Sequence, residues 1–259
     1  MQVVVAAWSY DAQRLLHVMQ QTESLFDTLI PVLIPSNRAH VHGRWQNVSI
    51  SIPHADSWNR LYALNHVYMT YPRADAYVIL DDDVVWSHDA AVLVPKIMAW
   101  LHTQPDWDIF SWGALPLWTV HSRTEYVAEA PFAWGCFANM YHRRIVPTVL
   151  KMDCQHLNLA QHLCRGPWVK LLSVPTLAYP TKPWSVLPWG RLGWHMFTNL
   201  HTVNWSSTAS LLRSMTVVMR DYDYPFAIYF SIIGSILVTM VLVAAMFWAV
   251  IMACTHKAL

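Results

Sequence analysis

A chain of 259 residues is long enough for one α/β core of roughly 200 residues plus an appendage. A net charge of +1 and the absence of any Lys/Arg run argue against nucleic acid, whose phosphates demand a basic footprint. Fifteen Trp and eleven Tyr are unusual; aromatic faces stack on sugar rings and nucleobases, but they also fill cores and line membrane interfaces.

In chain order, residues 2–7 read as a strand and residues 11–26 as a helix, with Leu15, Leu16, Val18, Met19 and Leu25 at helical spacing. Residues 28–34 read as a second strand, so the chain opens like half of a doubly wound sheet. The turn Trp8-Ser9-Tyr10-Asp11 then falls at the carboxyl edge, where α/β sheets bind ligands, and Asp11 is placed to cap the helix. Arg14, one turn in, could reach a phosphate or simply face water. Residues 35–53 have loop character apart from the alternating stretch 48–52. Residues 51–60 lead into a helix that runs to about Tyr71, its buried stripe being Leu61, Leu64, Val67 and Tyr68, and Pro72 ends it.

Tyr77-Val78-Ile79-Leu80 reads as a buried strand that runs into Asp81-Asp82-Asp83. Three adjacent carboxylates repel, and burying one unpaired is costly, so a cation or a basic partner is implied. Asp81 and Asp83 are two apart, so in extended chain they point the same way and could share one divalent ion, leaving Asp82 to face elsewhere. A solvated acidic turn is the plainer alternative.

Further on, residues 88–104 read as a helix, 107–113 and 135–141 as strands, and 143–150 as a helix leading to Asp153. Residues 181–204 carry Trp184, Trp189, Trp194 and His195 without periodicity, as an acceptor-binding loop or a membrane-proximal aromatic belt would. Residues 226–254 form an uncharged run of 29, long enough to cross a bilayer as a helix. The expected organisation is a catalytic domain over 1–205, a juxtamembrane linker over 206–225, the transmembrane helix and a tail over 255–259. No leader precedes the domain, so the expectation is a single-pass C-terminal anchor with a cytoplasmic domain. Cys136, Cys154 and Cys164 match no zinc spacing and read as free thiols in a reducing compartment. The sequons at Asn47 and Asn204 would matter only in a lumenal domain.

An Asp-X-Asp at a strand end resembles the metal-dependent glycosyltransferases of the GT-A type. The early Arg14, Pro53-His54 followed by Trp58, the acidic strand end, the strand closing on Gly113, the Gly135 to Tyr141 strand and Asp153 together resemble glycosyltransferase family 25. The resemblance covers about residues 2–183. It departs at Pro53, where the family commonly has Ser, and at Asn139-Met140 before Tyr141. It implies a GT-A-like, single Rossmann-type mixed sheet flanked by helices. It also implies a nucleotide-sugar donor, a glycan, glycolipid or glycoprotein acceptor, and Mn²⁺ or Mg²⁺ on Asp81, Asp83 and His195. Trp8, Ser9, Arg14, His54, Trp58, Asp82 and Gly135 would line the donor side. Asp153 would be the base of a direct displacement, ahead of Glu125, Glu129 and Asp108.

Two rival readings remain open. The acidic strand also fits a haloacid dehalogenase-like phosphatase, with the first Asp as nucleophile. A membrane-anchored sugar-binding or structural protein could keep the fold without activity.

Overall fold

The structure is a computed structural model in which residues 1–48, 52–116, 121–130, 133–134 and 137–180 are described. The expected membrane helix, the linker and the aromatic loop lie outside those residues. Among the described residues no helix is long and apolar enough to cross a membrane.

The chain opens with β1 (Val3–Ser9), α1 (Ala12–Thr22) and β2 (Leu29–Leu33), as the periodicity predicts. Asp11 caps α1, accepting from the backbone N–H groups of Gln13 and Arg14 at 2.8 and 3.4 Å. The stretch expected to be a loop contains instead a hairpin, β3 (Arg38–Val41) and β4 (Arg44–Asn47). Then come α2 (Ala55–Thr70), β5 (Ala76–Asp81), β6 (Val84–Trp86), α3 (Ala90–Thr103) and β7 (Ile109–Ser111). The short strands β8 (Leu115–Pro116), β9 (His121–Ser122), β10 (Val127–Glu129) and β11 (Ala133–Trp134) precede β12 (Ala138–His142). The described chain closes with α4 (Val146–Val149), α5 (Leu159–Arg165), β13 (Lys170–Ser173) and β14 (Ala178–Pro180).

Eight strands form one mixed sheet in the order β2-β1-β5-β12-β7-β13-β10-β9. β2, β1 and β5 are parallel. β12 runs antiparallel between β5 and β7, so β7 points the same way as β5. Alternation along the strands divides the core into two layers. Val4, Ala6, Trp8, Tyr77 and Ile79 pack against α2, α4 and α5 on one face. Val3, Val5, Ala7, Val78 and Leu80 pack against α1 and α3 on the other. Continuous apolar strands are the consequence of a sheet covered on both sides.

After β1 the chain moves outward to β2 and then returns to place β5 on the other side of β1. The sheet order therefore reverses between β1 and β5. α1 follows β1 and the acidic turn follows β5, both at the carboxyl edge where open α/β sheets hold ligands.

Candidate active site at the reversal of strand order

The parallel register puts Trp8 of β1 beside Asp81 of β5. Both lie on the face covered by α2, and the Trp8 indole Nε1 donates to Asp81 Oδ1 at 2.9 Å. Ser9 points to the opposite face, where its hydroxyl donates to Asp82 Oδ2 at 2.6 Å and accepts from the Asp11 backbone N–H at 2.8 Å. Trp8–Asp81 on one face and Ser9–Asp82 on the other thus tie the ends of β1 and β5 together.

The strongest contact is one the sequence did not signal. Arg60, on the first half of α2, donates from Nε to Asp81 Oδ1 at 2.8 Å and from its Nη2 to Asp81 Oδ2. This is a bidentate pair, with the Arg60 side chain 15% exposed and that of Asp81 10%. The guanidinium carbon also lies 5.8 Å from the Trp8 ring centre. Of the cation or basic partner that the acidic run implies, Asp81 has the basic partner, an arginine. Arg60 passed unnoticed because it follows Trp58 and Asn59 in a helix whose readable signal is the stripe Leu61, Leu64 and Val67. The available signal was its phase, one residue out of that stripe and level with the strand end.

Alternation also stops earlier than expected. Asp82 and Asp83 form a turn, so the extended geometry that would align Asp83 with Asp81 ends at Asp81. The turn is braced from behind, because β6 pairs antiparallel with β14 and the Ser87 N–H donates to Leu177 O at 2.8 Å. Carboxylate oxygens suit a hard divalent cation, and an ion held by one or two carboxylates plus substrate phosphates needs no protein cage. Asp82 and Asp83 are the half-buried carboxylates at the turn that could hold such an ion. Among the described residues no group of three or more His, Cys, Asp or Glu side chains is placed to hold a metal by itself.

At the same edge Tyr10 accepts from Asn59 Nδ2 at 2.6 Å and donates to Asp56 Oδ1 at 3.5 Å. Burial first, and then the Asp56 charge, push the Tyr10 phenol up to about 12. Asn59 Oδ1 in turn accepts from the His40 backbone N–H at 3.1 Å, tying the β3–β4 hairpin to the site. Tyr10 and Asn59 are further residues that sequence reasoning missed.

Arg14 is exposed on α1, and His54 is the exposed N-cap of α2 with φ +56°. Trp58 is buried in the core against His42, with ring centres 4.7 Å apart. Asp153 is exposed and accepts from the Gln155 N–H at 2.9 Å, while Gln155 reaches His42 rather than the acidic turn. Asp108 stands at the amino edge of β7, with Oδ1 on Arg144 and Oδ2 on the Val169 N–H. Glu129 is ion-paired with Arg123, and Glu125 is exposed in the turn between β9 and β10. Gly135 and His195 lie outside the described residues. Cys154 and Cys164 are buried, and neither is in a disulfide.

The fold is that of a mixed α/β protein whose strand order reverses between β1 and β5, the position at which open α/β sheets commonly bind ligands. No protein-family model and no curated protein sequence matches the chain. Solved structures overlap it in part. The protein A197 from STIV is 14% identical over 70% of this chain and 85% of that one, with a TM-score of 0.43. A glycosyltransferase involved in the glycosylation of the major capsid of PBCV-1 is 10% identical over 65% and 70%, with a TM-score of 0.38. Mannose-1-phosphate geranyltransferase from Thermus thermophilus is 9% identical over 71% and 77%, with a TM-score of 0.37.

Proposed function

We propose that the chain is a GT-A-type glycosyltransferase, similar to family 25. It would move a hexose from a nucleotide-sugar donor to a hydroxyl of a glycan, glycolipid or glycoprotein. Residues 226–254 would anchor it to a membrane, with the domain on the cytoplasmic side. The observation that supports this reading is that Trp8–Asp81 and Ser9–Asp82 hydrogen bonds tie the carboxyl ends of β1 and β5 together at the acidic turn, where the strand order reverses. In a direct displacement the acceptor oxygen bonds to the anomeric carbon as the bond to the diphosphate oxygen breaks, and the hydroxyl proton passes to a carboxylate base. Asp153 is the base that the resemblance suggests.

Of the ligands implied for Mn²⁺ or Mg²⁺, Asp83 sits in the turn and His195 would complete the set. A bound cation would offset the charge that grows on the leaving diphosphate. Ser9 and Asp82 would orient the donor, and the buried Trp8–Asp81–Arg60 cluster would hold the strand ends rigid.

A catalytically silent sugar-binding protein is the second reading. It is favoured by Asp81 having a partner within the protein, which gives this acid a structural reason to exist. The test is donor binding and turnover by the full chain across a panel of nucleotide sugars, with and without Mn²⁺, beside Asp83→Ala. Metal-dependent transfer or hydrolysis of one donor, lost in the variant, is expected. Binding without turnover would establish the silent reading, and no binding of any donor would overturn both.

A further inference from the structure

We infer that the outer face formed by the β3–β4 hairpin and α2 docks on an anionic membrane surface. The Trp45 indole and the Met69 thioether enter the headgroup layer, and Arg38, Arg44 and Arg73 meet the charged lipid headgroups. This rests on the reading of residues 226–254 as a membrane anchor.

Charge is the first reason. Between residues 28 and 74 the chain holds Arg38, Arg44, Arg60 and Arg73 and a single acid, Asp56, although the whole chain carries only +1. Arg60 is paired with Asp81, and Asp56 accepts from Tyr10, while Arg38, Arg44 and Arg73 are exposed. Shape is the second reason. The hairpin register pairs His40 with Trp45, so these two share one face, and Ala39 and Val41 turn the other into the core. Trp45 meets Tyr62 of α2 at 5.2 Å, Tyr62 stacks with His66 at 6.4 Å, and Met69 follows one turn on. Trp45 is 36% and Met69 69% exposed, so the strip presents apolar surface to solvent beside its arginines. Aromatic rings with a polar tip settle at a lipid–water interface, and an anionic leaflet attracts cations within about a Debye length, roughly 8 Å. Three arginines would hold a free protein weakly. An anchor changes this, because tethering makes docking an intramolecular step at high effective concentration. Residues 181–225 separate the described chain from the uncharged run, enough chain for this face to reach the bilayer. An acidic glycan would also suit the arginines, but the apolar tips of Trp45 and Met69 gain by entering lipid.

The experiment is hydroxyl-radical footprinting of the full chain reconstituted in nanodiscs of phosphatidylcholine, alone or with about one-third phosphatidylserine. Oxidation of Trp45 and Met69 is expected to fall about threefold on the anionic discs and to recover in part at about 0.5 M salt. Leu16 and Val92, exposed on the helices that cover the opposite face of the sheet, should react equally on both discs. Arg44→Gln combined with Arg73→Gln should return Trp45 and Met69 to their neutral-disc reactivity, with thermal melting confirming that the variant is folded. Equal oxidation of Trp45 and Met69 on the two lipids, in a chain that co-migrates with the discs, would overturn the docking and leave the anchor intact. A chain that stays out of the discs would instead remove the anchor and the docking with it. Protection by heparin on neutral discs, with none from phosphatidylserine, would overturn the inference in favour of an acidic glycan.

Discussion

Asp81 and Arg60 are worth more to the fold as a pair than either is alone. Asp81→Ala strands a mostly buried guanidinium and the Trp8 N–H, and is expected to lower stability by about 3 kcal/mol in urea unfolding. Adding Arg60→Met should recover part of that loss, because no uncompensated charge remains. A double variant as unstable as the sum of the two singles would show that the pair is not a coupled unit. Tyr10 gives an alkaline counterpart. Its folded pKa of about 12 lies above the ordinary value of 10.0, so its contribution is whole below pH 10 and is lost as pH rises towards 12. Tyr10→Phe should therefore flatten the fall of stability over that window. Tyr77, also raised by burial, keeps the slope from vanishing. At this scale the acids were legible because an apolar strand ending in charge is a sharp break in pattern. Arg60, Tyr10 and Asn59 were not, because each gains its meaning from a partner 21 to 49 residues away.

Elements with a buried face were readable and those without one were not. β1 and β5 announce themselves by apolar period, and their observed limits differ from the expected ones by a residue or two; α2 was legible by its stripe, but it begins at Ala55, inside the stretch expected only to lead into it. The β3–β4 hairpin was missed because all four residues of β4 are exposed and its two-residue turn is His42-Gly43. Both turn residues take positive φ, 47° and 78°, which hairpin turns need but which Asn-Gly or Asp-Gly would have signalled far better. What holds the hairpin is aromatic packing on α2, His40 against Tyr62 at 4.6 Å and Trp45 against Tyr62 at 5.2 Å. At the end of β7 the chain passes so close to β14 that a Cβ on Gly113 would stand 2.0 Å from the Ala178 carbonyl oxygen. Gly113→Ala should thus cost about 3 kcal/mol or more, since backbone rather than a side-chain tip must move. A melting temperature equal to the parent's would show that β14 yields freely.

Across the whole molecule, the parallel half of the sheet could be anticipated because strand-helix-strand alternation dictates it. The insertion of β12 could not, since local sequence says nothing about direction or neighbour when a strand is apolar on both faces. The resulting order predicts a gradient of protection. Amides of β1, β5 and β12, each paired on both sides, should exchange with deuterium most slowly, and those of β9 and the β3–β4 hairpin fastest. Hairpin amides as protected as those of β5 would contradict the topology.

The place of β12 also bears on how the protein is made. A nascent chain emerging from the ribosome completes β1, β2 and β5 early, but the open side of β5 is closed only when residues 138–142 arrive. Until then an apolar strand offers an unpaired edge to any other extended chain nearby. Translational pausing before that point, or truncation there, should leave the strand that carries the acidic turn as the principal site of aggregation.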